Sequence, residues 1–185
     1  MYPVLLETQR IRLRELADRD LEGILRIYGD PVATRQLSFE PRTREQVATF
    51  LANSARQARE EPRVEYALAV ALIGSDEAIG SARLAVGEHR SGQFGIALRA
   101  DRWGQGLGLE AVQLLLDLGF RQLGLHRIWG ARAPHNTVSE RLMSKLGMVE
   151  EGRIRDHVFV RGAWRDSIVH SILEHEWSGA ASAEM

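Results

Sequence analysis

The segment Gly104-Gln105-Gly106-Leu107-Gly108 runs straight into a long apolar stretch, and this junction constrains the chain more than any other feature. From Gly106 to about Leu123 the spacing predicts a helix. Glu110, Gln113, Asp117 and Arg121 fall near one face, and most other positions are apolar. A helix with so narrow a polar stripe must be largely buried, and a sheet is its natural partner. Glycines at its start allow positive φ and let the backbone approach a ligand with no Cβ between. Free N–H groups at a helix start, with aligned peptide dipoles behind them, favour an anion. Pyrophosphate is the obvious guest. A tight turn that merely needs positive φ is the plain alternative.

The rest of the chain supplies the sheet. Ile11, Leu13 and Glu15 alternate with Arg12 and Arg14, which reads as a strand. Asp18 is expected to cap a helix carrying Leu21, Ile24, Leu25 and Tyr28, ended by Gly29-Asp30-Pro31. Thr43 with Gln46 makes a capping box for a second helix, with Val47, Phe50, Leu51 and Ala58 on one face and Pro62 as its stop. Tyr66 to Leu72, Ile79 to Val86 and Phe94 to Leu98 read as strands on short polar turns, an antiparallel meander. Ile128 to Ala133 is a further strand, and the long helix before it implies a parallel crossover. Asn136 caps a short helix that Gly147 ends in a left-handed conformation. Val149 to Leu173 reads as two strands around Gly162-Ala163. The expectation is an α/β (α+β) chain with a mixed, mostly antiparallel sheet of about seven strands and about four helices. Residues 1–177 read as a single domain and 178–185 as a disordered tail.

Composition excludes several classes. The chain has 185 residues, a size that suits one domain. It has no cysteine, which removes disulfides, thiolate zinc sites and a cysteine nucleophile. Its 6 histidines form no His-x-x-x-His or His-Glu-x-x-His pattern, so no metal is expected. A net charge of -1 lacks the basic excess of a nucleic-acid binder. No basic-then-apolar leader is visible and no run approaches ~18 apolar residues, so a cytoplasmic protein without a membrane span is expected. A Walker loop needs Gly-Lys-Ser/Thr, and the only lysine is Lys145. A dinucleotide fingerprint needs Gly-x-Gly-x-x-Gly and an acid about 20 residues on. Here the spacing is Gly-x-Gly-x-Gly, Arg127-Ile128-Trp129 holds no acid, and a meander precedes the turn.

Trp103 to Ala111, the strand before it and Asn136-Thr137-Val138-Ser139 after it resemble the GNAT acetyltransferase superfamily. Thr8-Gln9-Arg10-Ile11-Arg12-Leu13-Arg14, Ser139 to Met148 and Gly162-Ala163-Trp164-Arg165-Asp166 are similar to its RimJ/RimL branch of protein N-acetyltransferases. The likeness covers nearly the whole chain. It implies the GNAT fold and acetyl transfer from acetyl-CoA to a primary amine, on a protein N-terminus or a small molecule. It is compatible with a homodimer. It also implies that the amides of Gln105, Gly106, Leu107, Gly108 and Leu109 hold the pyrophosphate, with Trp103 and Gly104 leading into the turn. The pantetheine arm is then expected along Ile96 and Leu98. The family's usual Gln/Arg-x-x-Gly-x-Gly/Ala falls on Trp103, Gly106 and Gly108. The tryptophan departs from the superfamily and is usual in the RimJ/RimL branch.

Amine attack on a thioester needs a neutral amine, a stabilised oxyanion and a proton for the thiolate. A main-chain amide near Leu98 suits the oxyanion. Where the family often places a tyrosine, this chain has Met143, which donates no proton. The likeness points instead to Ser139; the plain alternative is that Ser139 supports the Asn136 cap. Asn136 is likewise a cap first and a cofactor contact second. Gln93 stands where some relatives carry a glutamate base. His157, Asp156 and Glu40 are candidate bases only if they face the acceptor, and solvated surface is the first reading of each. Arg141 and Lys145, four apart on one helix face, are candidates for the cofactor's 3′-phosphate, as are Arg99 and Arg102. Trp129, Trp164 and Trp177 read as core or dimer contacts, and Asp166 as a structural acceptor. A site without a strong base suits an amine of low pKa, such as a protein N-terminus. The loop from Val32 to Thr43 has Glu40 as its only acid, against Arg35, Arg42 and the adjoining Arg44, which disfavours a polycationic acceptor. A non-catalytic acyl-CoA-binding module stays open on Gln93 and Met143.

Overall fold

The computed structural model describes residues 1–179. The expectation of a disordered tail over 178–185 falls, from residue 180 onward, outside the described residues. The strands are β1 (Leu5–Glu7), β2 (Ile11–Glu15), β3 (Glu65–Leu72), β4 (Ala78–Val86), β5 (Ser91–Leu98), β6 (Arg127–Arg132), β7 (Val149–Val160) and β8 (Ala163–Leu173). They form one 8-stranded sheet in the order β1-β2-β3-β4-β5-β6-β8-β7. Every neighbouring pair is antiparallel except β5–β6, where the long helix supplies the crossover. The mixed, mostly antiparallel sheet is thus as expected, with one strand more. The additional β1 is only 3 residues long, too short to show alternation, and it pairs Leu6 with Leu13.

The helices are α1 (Leu21–Tyr28), α2 (Pro31–Thr34), α3 (Arg44–Gln57), α4 (Leu107–Asp117) and α5 (Thr137–Lys145). The one-turn α2 was hidden because Gly29-Asp30-Pro31 reads as a stop. In fact the proline starts a new turn, and Asp30 Oδ1 caps it by accepting from the Val32 N–H at 2.8 Å. The Thr43–Gln46 capping box opens α3 as expected. Asp18 does not cap α1: it begins a single 3₁₀ turn, and no side chain caps that helix. The helix predicted to reach Leu123 is α-helical only to Asp117 and continues as a π turn over Leu118–Gln122.

Helices cover both faces of the sheet, and each face has its own core. On one, Leu107, Ala111, Val112 and Leu115 of α4 meet Ile11, Leu13, Leu68, Leu84 and Phe94. On the other, Ile24, Ile27 and Tyr28 of α1 and Val47 and Leu51 of α3 meet Ala67, Ala69 and Ala78. Double coverage buries both sides of β2. Arg14 points to the α1 side and is 7% exposed. There its guanidinium makes two bonds to Asp20, each 2.8 Å, and a third to Asp76 at 2.9 Å. Asp20 also accepts from the Ala17 N–H at 2.9 Å, so this ion pair sets where α1 begins.

Candidate active site

The parallel pair β5–β6 is joined at only three positions, Ser91–Arg127, Gly92–Ile128 and Gln93–Trp129. Beyond them the strands part. Each stays committed to its outer neighbour, β5 to β4 as far as Leu98 and β6 to β8 as far as Arg132. At the parting point the Phe94 ring takes the space of a side chain at Gly130: a Cβ there would lie 2.4 Å from Phe94 Cε1.

Hydrogen-bond parity shows what lines this gap. The Gly87 N–H donates to Ser91 O at 2.8 Å, and the Arg99 N–H donates to Ile79 O at 2.9 Å. In an antiparallel ladder alternate residues bond the same neighbour, so odd-numbered residues of β5 bond β4. Ile96 and Leu98 therefore turn their N–H and C=O toward the gap. The Leu98 carbonyl is engaged there by Trp103 Nε1 at 2.9 Å. The Ile96 N–H and C=O and the Leu98 N–H have no strand opposite them. By side-chain alternation Ile96 and Leu98 pack with the α4 core, whereas Ala97 packs on the α1–α3 side.

The glycine turn stands at the α4 side of the gap. Gly104 and Gly106 have φ +73° and +79°, so both are in the left-handed region. Among the described residues, the amides of Gln105, Gly106, Leu107 and Gly108 donate to no protein acceptor, whereas that of Leu109 donates to Gly106 O at 3.0 Å. Of the five amides expected to form a cradle, four are therefore unpaired, and that of Leu109 already closes the first helical turn. A residue that the sequence reading passed over steadies the turn from far away. Arg10 donates to the Gln105 carbonyl at 3.0 Å and is ion-paired with Glu110, which also accepts from Thr8 Oγ1 at 2.9 Å. In the sequence Arg10 figures only within the Thr8–Arg14 likeness, and nothing local signals a partner on α4.

Helix α5 closes the same end. A Cβ at Gly108 would lie 3.4 Å from both Leu142 Cδ1 and Leu98 Cδ1, so the turn, the end of β5 and α5 converge. Ser139 lies one turn before Leu142 and shares its face. Its N–H donates to Asn136 Oδ1 at 3.0 Å, and its hydroxyl makes no hydrogen bond among the described residues. Met143 is 2% exposed and belongs to the core. Arg132 holds the loop before α5, donating to the Pro134 carbonyl at 2.9 Å and to His170 Nε2 at 3.1 Å. Burial holds the His170 imidazole below its ordinary pKa, and Arg132 adds to this.

The basic candidates separate. Arg99 is buried and locked to Asp101 at 2.7 Å and Glu77 at 2.5 Å, so it is not available to a phosphate. Arg102 keeps its Nε buried without an acceptor, 3.6 Å from Asp101. Arg141 and Lys145 are exposed on the outer face of α5. Asp166 accepts from Arg153 Nε at 2.5 Å and the Asp156 N–H at 2.8 Å, the structural role expected of it. Trp177 joins the core and donates to Asp117 at 2.8 Å, while Trp164 is 61% exposed and stacks edge-on with Phe159.

On the α1–α3 side the gap is bordered by Gln93, Gly95 and Ala97 of β5 and Trp129 and Ala131 of β6, none of them ionisable. His157 and Asp156 are exposed on β7. Glu40 is also exposed, and it accepts from the Arg161 N–H at 3.2 Å, which ties the α2–α3 loop to the β7–β8 hairpin. Arg42 lies against aromatic rings, 4.3 Å from the Phe39 centroid and 5.0 Å from that of Tyr28. Among the described residues no group of three or more acidic or imidazole side chains is placed to hold a metal ion. No helix there is long and apolar enough to cross a membrane.

The arrangement joins a glycine turn of unpaired amides, an unpaired main-chain edge and an opposite side whose bordering strand residues are not ionisable. Residues 10–149 match the family described as the acetyltransferase (GNAT) domain. An uncharacterized N-acetyltransferase of Bacillus subtilis (strain 168), YoaA, is 30% identical over 179 residues, covering 94% of this chain and 98% of that protein. The [ribosomal protein uS5]-alanine N-acetyltransferase of Escherichia coli (strain K12) is 32% identical over 78 residues, 42% of this chain and 40% of its own. The fold of a spermidine N-acetyltransferase from Vibrio cholerae, solved with CoA and spermine, superposes with a TM-score of 0.79 at 23% identity, covering 91% of this chain and 98% of that one. The chain belongs to the GNAT family and is an acetyl-CoA-dependent N-acetyltransferase.

Proposed function

We propose that this enzyme acetylates the α-amine of a protein or peptide N-terminus and that it stands in the RimJ/RimL branch of its family. One observation carries the reading: the strand positions bordering the gap on the α1–α3 side offer no base. Without one, the acceptor must arrive neutral. An α-amine has a pKa of about 7.7–8.0 and a lysine about 10.4. Near pH 7.5 roughly a third of α-amines are neutral, against about one lysine in a thousand. The likeness to a ribosomal-protein alanine acetyltransferase supports the same acceptor class.

The residues then take the following roles. The amides of Gln105, Gly106, Leu107 and Gly108 hold the pyrophosphate of acetyl-CoA. The free main-chain groups of Ile96 and Leu98 receive its pantetheine arm, and an amide of this edge polarises the thioester carbonyl. Arg102, Arg141 and Lys145 serve the 3′-phosphate. Acetyl-CoA supplies the acyl group. The amine nitrogen bonds the acyl carbon, the carbon–sulfur bond breaks, and the surplus proton on nitrogen passes to water. The Ser139 hydroxyl donates a hydrogen bond to the leaving thiolate. Ser139→Ala is accordingly expected to lower kcat by about 100-fold while leaving calorimetric affinity for CoA within about twofold. Full retention of kcat would leave Ser139 only its place beside the Asn136 cap.

The acceptor is tested with two peptides at pH 7.5. One has a free N-terminus and no lysine; the other is N-terminally blocked with one internal lysine. Thiol release is expected to be at least about tenfold faster with the first. Faster lysine acetylation refutes the reading.

A further inference from the structure

Most of the well-buried arginines of this chain face a carboxylate. Arg14 faces Asp20, Arg63 faces Glu15, Arg99 faces Asp101, and Arg132 faces Glu150. Two arginines of the β7–β8 hairpin, Arg165 half-buried and Arg161 exposed, face none. Arg161 uses Nη2 on the Thr34 carbonyl at 2.9 Å. Arg165 uses Nη1 on the carbonyls of Gln36 and Leu37, at 3.3 and 3.1 Å. Among the described residues neither guanidinium has a carboxylate within 4.0 Å. The Glu40 carboxylate meets only the Arg161 main chain. Arg165 also keeps its Nε buried with no acceptor. Burial, and then the charge of Arg161, press the Arg165 guanidinium below its ordinary pKa. Two neighbouring like charges with no carboxylate partner, Arg165 half-buried and Arg161 exposed, are an arrangement that a bound anion relieves.

Their position matters. Ile168 is the last β8 residue paired with β6, opposite Arg132, at the widening end of the gap. Arg165 lies three residues before it. By alternation Arg165 shares a face with Ser167, Val169 and Ser171, the side of Ala131 and Trp129. Its bonds to Gln36 and Leu37 confirm that it leans toward the α2–α3 loop. The pair thus stands on the α1–α3 side of the sheet, beyond the last β6–β8 pairing at the widening end of the gap.

We propose that Arg161 and Arg165 form an anion subsite that selects acceptors with a carboxylate close to the reacting amine: peptide N-termini with an acidic residue among their first few positions. This rests on the N-terminal acceptor proposed above and adds its sequence preference. A polyamine is repelled by the same pair.

The test compares thiol release, with acetyl-CoA and the full chain, from three hexapeptides that start with the same residue. Positions two to four are acidic in one, amide-bearing in the second and basic in the third; spermidine is the fourth acceptor. The acidic peptide is expected to exceed the amide peptide about 10-fold in kcat/KM, with the basic peptide and spermidine lowest. Added salt should shrink the acidic advantage, because the subsite is partly open to solvent. Arg161→Ala with Arg165→Ala should collapse the acidic-to-amide ratio toward one, and the paired lysine variant should keep part of it. If the alanine pair does not fold, the salt series on the unaltered enzyme and the lysine pair decide. Equal rates on acidic and amide peptides, or a loss that is the same for every acceptor in the alanine pair, overturn the subsite and leave the N-terminal reading standing. Turnover of spermidine or lysine side chains alone overturns both.

Discussion

Gly106→Val is expected to raise the KM for acetyl-CoA about 100-fold, with kcat at saturation changed far less. Gly106 sits at φ +79°, a region closed to a β-branched residue. A left-handed conformation costs an ordinary L-residue roughly 1–2 kcal/mol, so valine turns the chain out of it. The amides of Leu107 and Gly108 then swing away from their common focus, and each lost bond to a charged oxygen is worth about 1.5–3 kcal/mol. The new Cβ also lies 3.3 Å from Arg10 Nη2 and pushes on the clamp at the Gln105 carbonyl. A hundredfold change corresponds to about 2.7 kcal/mol, within the reach of these effects. Acetylpantetheine, which carries no pyrophosphate, supplies the control. The glycine and valine enzymes should use it equally, and equally poorly. An unchanged KM for acetyl-CoA removes the cradle from the mechanism.

Asp20→Ala should cost stability on the largest scale of any single change away from the gap. It leaves the Arg14 guanidinium, 8% exposed in its side chain, facing only the half-open Asp76. Breaking one partner from a buried pair typically costs about 3–5 kcal/mol. For a chain of this size that lowers Tm by roughly 10 °C. The Ala17 N–H loses its acceptor as well, so the start of α1 frays first. Replacing both partners, Arg14→Met with Asp20→Leu, should recover much of the loss, since the orphaned charge is then gone. Thermal unfolding of the three variants checks this. A Tm within about 2 °C of the parent after Asp20→Ala contradicts it.

Much of this architecture was legible because it is written in short-range patterns. The glycine turn, the buried long helix, the meander on polar turns and the caps at Thr43 and Asn136 each declare themselves within a few residues. What escaped was long-range or too short. β1 offers three residues and no alternation to read. Alternation puts Arg14 on one side of a strand, but nothing near it reports that α1 covers that side. Arg10 was legible as part of a strand, while its partners Gln105 and Glu110 lie about a hundred positions away. Arg99 looked available beside the turn, although its two carboxylates sit on either side of it in space. Leu109 enters the expected cradle through the family likeness, whereas its amide is spent on the Gly106 carbonyl, a bond that the motif alone does not reveal. The gap itself follows from pairing choices made by β4 and β8, which no local window contains.

Those pairing choices bear on speed. Since each strand is held by its outer neighbour over the stretch where the two diverge, the slot stands ready before any visitor arrives. The separation is settled during folding, together with the rest of the sheet. Encounter therefore need not wait for strands to be prised apart, and capture can proceed by docking into a preformed opening. Release gains equally: the emptied slot keeps its shape, poised for another round.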